Sequence, residues 1–162
     1  MVVISDTSPI INLAAINLLG LLPNLFEKVI IPQKVYEEIV INGAGMAGAD
    51  DIEQADWVEV RQVKDQKHVE SLLNKIHPGE AEALVLSLEL SADLVIIDDA
   101  EARNIAQSMG LDYTGLLGIL LVAKQKKLIP EIRQVMNRLI SDTSFRISRP
   151  LYNQILEMAG EN

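Results

Sequence analysis

No cysteine occurs anywhere in the 162-residue sequence. That excludes disulfides, thiolate nucleophiles and cysteine-based zinc sites together, and it fits a reducing compartment. Histidine is nearly as scarce, since His68 and His77 are too few for a histidine-rich metal site. Long apolar runs are missing too. The most apolar early stretch, Leu13 to Phe26, is interrupted by Asn17, Gly20, Pro23 and Asn24, well short of the roughly 20 apolar residues of a membrane span. No basic segment precedes the first strand-like run, so no leader is expected and the expected compartment is the cytoplasm. Aromatics make up only 4% of the chain, so its core must come from the Leu, Ile, Val and Ala that dominate the 49% hydrophobic fraction. Low-complexity tracts and solenoid-period repeats are absent, and the length fits one domain spanning 1–162.

Positive charge is also in short supply. There are 14 basic residues against 23 acidic ones, for a net charge of −9. That argues against broad electrostatic association with nucleic acid. It leaves room for a specific site whose carboxylates are neutralised by divalent cations.

What is present is a rhythm of short apolar runs and helical patterns. Val2-Val3-Ile4 ends at Ser5-Asp6, and Thr7-Ser8-Pro9 opens a helical pattern in which Ser8 is placed to cap and Pro9 to fill the first turn. Val29-Ile30-Ile31 is followed by Pro32 and a helix to about Ile41. Residues 42–49 hold three glycines and read as a flexible loop. Trp57 to Val60 reads as an edge strand. Pro78-Gly79 opens a helix to about Leu90. Leu94 to Ile97 reads as a buried parallel strand, with a helix after it to about Met109. Asp112-Tyr113 suggests one more strand before a helix near Thr114, and Glu131 to Ile140 and Arg149 to Ala159 are helical in pattern. Strands alternating with helices predict an α/β fold of three layers, with a parallel sheet covered on both faces.

The acids fall where such a sheet does its chemistry, at the carboxyl ends of its strands. Asp6 follows the first run directly and Asp98 follows the run 94–97. Glu80 lies in the first turn of the helix preceding that strand, and a helix antiparallel to its following strand begins where the strand ends. Glu82, about 200° further around the helix, should then face elsewhere. In the helix after Ile31, Glu38 shares the apolar side with Val35 and Ile41, whereas Glu37 sides with Lys34 and Gln33, so Glu38 is the better candidate. Four carboxylates in one pocket repel one another. Hard divalent cations relieve that repulsion, because Mg²⁺ and Mn²⁺ prefer oxygen ligands, retain water and bridge carboxylates to phosphate.

In this order and spacing the elements resemble the PIN-domain family. Asp6-Thr7-Ser8-Pro9 resembles its opening. Ile31-Pro32 with Val35-Tyr36-Glu37-Glu38-Ile39 is similar to its second acidic element. Gly79-Glu80-Ala81-Glu82-Ala83 and Ile97-Asp98-Asp99 are similar to the third and fourth. The third form, with Gly115-Leu116-Leu117-Gly118 downstream, resembles a VapC-like prokaryotic subgroup. The likeness runs through about residues 2–128 and leaves the C-terminal helices, about 130–160, outside.

The resemblance implies a sheet of four to five parallel strands and Mg²⁺- or Mn²⁺-dependent ribonuclease activity, often in a homodimer, and in many members a toxin neutralised by a small antitoxin protein. It carries catalytic and metal roles to Asp6, Glu38, Glu80 and Asp98, with Asp99 as an accessory metal ligand and Thr7 or Ser8 hydrogen-bonding in the site. Glu80 stands where many relatives carry Asp.

Blander readings compete residue by residue. Asp6 and Asp98-Asp99 could be helix caps, and Glu80 a first-turn acid favoured by the helix dipole. Arg103 could contact phosphate or pair with Asp99 at i,i+4. His77 reads as a turn residue, and Gly43, Gly45 and Gly48 lack the Gly-Lys-Ser/Thr of a phosphate loop. A receiver domain would carry its acidic pair after the first strand, and a dehalogenase-type phosphatase would need Asp where Ser8 stands. A PIN fold that binds RNA or protein without cutting is the remaining alternative.

Overall fold

A computed structural model describes all 162 residues. Five parallel strands form one sheet in the order β3-β2-β1-β4-β5. They are β1 (Val3–Ser5), β2 (Val29–Pro32), β3 (Val58–Arg61), β4 (Leu94–Ile96) and β5 (Tyr113–Thr114). Ten α-helices intervene: α1 (Thr7–Ala15), α2 (Leu21–Phe26), α3 (Gln33–Tyr36), α4 (Ala49–Gln54), α5 (Gln66–Leu72), α6 (Pro78–Glu89), α7 (Ala100–Ser108), α8 (Leu116–Gln125), α9 (Ile132–Asp142) and α10 (Arg149–Met158).

The period-two alternation of the strands divides the core. Val3, Val29, Ile31 and Ile96 face one way, against Ile10 and Leu13 of α1, α2, α8 and the C-terminal helices. Ile4, Ile30, Val95 and Ile97 face the other way, against α5, α6 and α7. The result is the three-layer α/β arrangement that strands apolar on both faces require. Truncating a fully buried residue such as Ile31 or Leu84 to Ala would cost roughly 2–5 kcal/mol.

Strand order sets the site. From β1 the chain steps outward to β2 and β3, then crosses back to place β4 on the other side of β1. Crevices in open α/β sheets open where the direction reverses, here between the ends of β1 and β4. Ser5 is in register with Ile96, and the Asp6 amide donates to the Ile96 carbonyl at 3.0 Å.

Several local expectations need correction. Ser8 does not cap α1. The helix begins at Thr7 with Asp6 in the cap position, and Pro9, its third residue, lies in the first turn as expected. The helix after β2 is not uniform either. It is α-helical over Gln33–Tyr36 and then π-helical over Glu37–Ile41, with the Asn42 amide donating to the Glu37 carbonyl at 2.8 Å. The added residue rotates the later positions, and Ile41 is 59% exposed rather than on the apolar side. Residues 42–48 form turns, in which Gly45 and Gly48 take φ values of 81° and 91°. Helix α4 then follows directly, and neither it nor α5 was apparent in the apolar pattern.

Candidate active site

Asp6 leaves β1 at the crevice and is 4% exposed. Although it occupies the cap position of α1, its carboxylate makes no capping hydrogen bond, so the cap reading fails on geometry. Burial pushes its pKa up to about 7, against the pull of the Thr7 amide, and the negative charges of Glu80, Glu38 and Asp98 add to the rise.

Thr7 donates its hydroxyl to Glu38 Oε2 at 2.6 Å, tying the first turn of α1 to the π-helical turn. Glu38 also lies against the start of α6. A Cβ at Gly79 would come within 2.6 Å of both its carboxylate oxygens, so the glycine is needed for that approach. Two contacts from distant elements, rather than helical periodicity, thus hold Glu38 in place.

Glu80 is buried at the start of α6, where its Oε1 accepts the His77 amide at 2.9 Å. Burial raises its carboxyl above the usual range. The His77 amide opposes this, and the charge of Asp99 reinforces it. Glu82 does face elsewhere, accepting the Lys34 amide at 3.1 Å at the start of α3. Asp6, Thr7, Ser8, Glu38 and Glu80 border one cavity of about 500 Å³ at the sheet's edge.

Asp98 stands across the crevice and borders a second cavity. Its Oδ1 accepts the Leu116 amide at 3.1 Å and pairs with Arg103 Nη2 at 3.3 Å. Its Oδ2 is buried with no hydrogen-bond partner. Burial lifts its carboxyl above the ordinary value, while the Leu116 amide and Arg103 restrain the rise. Arg103 therefore pairs with Asp98 and not, as an i,i+4 reading suggested, with Asp99. Its Nε also donates to the Ile97 carbonyl at 3.0 Å. Asp99 caps α7, with Oδ2 accepting the Ala102 amide at 2.9 Å.

Some residues at the site had not been singled out for it. Asn12 is buried on α1 and reaches Ser8 Oγ at 3.4 Å, bordering the cavity with His77 and Ser144. The available signal for Asn12 was a polar residue inside the apolar run Ile10-Ile11-Asn12-Leu13. No such signal existed for Ser144, which arrives from the loop between α9 and α10.

A family model for the PIN domain matches residues 2–161, and the chain belongs to that family. PIN domains are typically nucleases that bind divalent metals. The match takes in α9 and α10, which the sequence motifs had left outside. No curated protein matches the sequence.

The donor set suits such an ion in kind, since it offers carboxylate oxygens and no thiolate, with His77 the one imidazole bordering the cavity. Asp98 Oδ2 lacks a partner, and the Asp6 carboxylate makes no capping hydrogen bond to α1. No three acidic side chains lie close enough to form a ready-made cage. The arrangement fits a cation that keeps part of its water shell and is held partly through it, as Mg²⁺ usually is.

Proposed function

We propose that this chain is a metal-dependent endoribonuclease, with Asp6, Glu38, Glu80 and Asp98 as its working carboxylates and Asp99 as an accessory. The observation that supports it most is Asp6 itself. A buried carboxylate that makes no capping hydrogen bond and feels the charge of three other acids beside an open cavity is costly unless a cation compensates it.

Asp6, Glu38 and Glu80 would hold Mg²⁺ or Mn²⁺ from one side of the crevice and Asp98 from the other. When bound, the ion lowers the pKa of water and offsets charge on a phosphodiester. The chain's own residues supply the positioning. Thr7 fixes one oxygen of Glu38, and the His77 amide fixes one oxygen of Glu80. Arg103 and the Leu116 amide hold Asp98 Oδ1 and leave Oδ2 without a partner. Hydrolysis of RNA in this way leaves 5′-phosphate and 3′-hydroxyl ends. A small antitoxin and a homodimer belong to the same proposal, and only the family resemblance supports them.

Two observations favour the rival, a PIN fold that binds without cutting: Asp98 is engaged by Arg103, and no three acids form a cage. Calorimetric titration of Mg²⁺ and Mn²⁺, with Asp6→Asn in parallel, separates the two. Binding by the wild type that disappears in the variant supports the nuclease. Absence of binding by the wild type supports the rival.

A further inference from the structure

The second cavity, about 440 Å³, has a construction of its own. Its floor is the start of α8, where two glycines admit close neighbours. A Cβ at Gly115 would collide with Arg103 and Asp98, and one at Gly118 with the Thr114 hydroxyl. On one wall Tyr113 is 38% exposed, with the Arg103 guanidinium 5.8 Å from its ring centroid. The loop between α9 and α10 also lines the cavity. That loop places Ser144 in the first cavity and Phe145 and Arg146 in the second, so the two cavities share it as a boundary.

Charge is distributed to match. The chain is strongly acidic overall, but Arg103 and Arg146 line this cavity against one acid, Asp98. Arg146 is exposed and enters no ion pair. Asp98, the acid of this cavity, is covered on Oδ1 by Arg103 and the Leu116 amide. The free charge facing the groove is therefore positive, and it lies beside an aromatic ring.

We infer that this groove is the RNA-binding subsite next to the carboxylate crevice, with Arg146 contacting a backbone phosphate and Tyr113 stacking on an adjacent base. This rests on the nuclease reading above and adds where the strand runs. An exposed arginine supplies the salt-dependent phosphate contact, and an exposed ring supplies a sequence-tolerant platform, which is the pairing single-stranded RNA requires. An acidic peptide would engage Arg146 but would gain nothing from the ring face.

The test is fluorescence anisotropy with a fluorescein-labelled, mixed-sequence single-stranded RNA and the full chain. Chelator keeps the probe intact, and affinity is followed from about 25 to about 200 mM KCl. Arg146→Gln should weaken binding roughly fivefold or more and flatten the log–log salt slope by about 0.7, the signature of one lost phosphate contact. Tyr113→Ala should weaken binding with the slope unchanged, since stacking releases no counterions. Lys126→Gln, an equal charge change at an exposed position away from the groove, should behave as wild type. Equal losses in Arg146→Gln and Lys126→Gln, no loss in Arg146→Gln, or no RNA binding by the wild type would overturn the inference. Cleavage with Mn²⁺, assayed separately, reports on the nuclease reading. A protein that cuts RNA but binds it independently of Arg146 keeps that reading and loses the groove, and one that binds through Arg146 but never cuts does the reverse.

Discussion

The carboxylate of Glu38 rests against the backbone of Gly79, so close that a Cβ there would lie 2.6 Å from both oxygens. The π-helical turn after β2 and the first turn of α6 are thereby fitted to each other through an acid and a missing side chain. Gly79→Ala should leave the fold nearly intact, because the atoms that must move are the far end of a flexible side chain. Cleavage should fall by roughly tenfold or more, since displacing a positioned group by about 1 Å is expensive in rate. Melting temperature and rate measured on the same preparation check this. A variant as active as wild type would mean that Glu38 need not sit where it does.

Thr7 offers a more conservative probe of the same carboxylate. Thr7→Val keeps the shape and removes the 2.6 Å hydrogen bond to Glu38 Oε2. The expected stability loss is about 1–2 kcal/mol. Loss of an orienting partner should also weaken Mn²⁺ binding by roughly 10- to 100-fold. Calorimetric titration reads the second effect, and unchanged affinity would count against Glu38 as a ligand.

Much of this arrangement was legible in the sequence, and the residues show why. Asp6 and Asp98 could be placed because a short β-branched run gives a strand, and parallel strands deliver the residues after them to one edge. Glu80 followed from the antiparallel run of α6 to β4. Glu38 was selected by a helical register that placed Ile41 inside, yet Ile41 is 59% exposed. The π-helical turn breaks the period on which that reasoning depended. Arg103 was open to the same kind of error, since i,i+4 spacing points to Asp99, while the backbone turn into α7 brings Asp98 within reach instead. Helices α4 and α5 are short and mostly polar, with Ile52 and Val69 as their buried anchors, so periodicity had little to act on. Ser144 and Arg146 reach the crevice only through the packing of α9 and α10.

Asp6 links the site to stability. Its carboxyl titrates at about 7 in the folded chain against 3.8 for a free side chain. Between those values the native state holds the extra proton, so this residue makes stability fall as pH rises from about 4 to 7, with no further change above. Without divalent ions, Asp6→Asn should therefore be more stable than wild type at pH 8, by up to about 4 kcal/mol. The gap should shrink to about two-fifths by pH 5. Saturating Mn²⁺ should also narrow it at pH 8 by stabilising the wild type alone. Denaturant melts at the two pH values measure the difference, and a variant less stable than wild type at pH 8 would contradict the strained carboxylate.

The C-terminal helices are tied to the rest through Glu161. Its carboxylate accepts the Ile132 amide at 2.7 Å and the Arg133 amide at 3.1 Å, and pairs with Lys124 at 2.8 Å. Desolvation opposes ionisation there, but Lys124 and the two amides prevail and hold its carboxyl below the usual value. That contribution is present above the ordinary glutamate pKa and is lost as pH falls through the depressed one. Glu161→Gln should lower stability by about 1–2 kcal/mol at pH 7 and leave the rate of RNA cleavage unchanged. A comparable loss of rate would show that the packing of α9 and α10 sets the crevice.

The most direct measurement of the central claim is the rate at which wild type and Asp6→Asn cut a labelled RNA pool in Mn²⁺ at pH 8, with both proteins verified as folded. The nuclease assignment predicts cleavage by the wild type to 5′-phosphate ends, abolished by chelator and at least about 100-fold slower in the variant. Cleavage by Asp6→Asn at the wild-type rate, or no cleavage by the wild type in either Mg²⁺ or Mn²⁺, would contradict it.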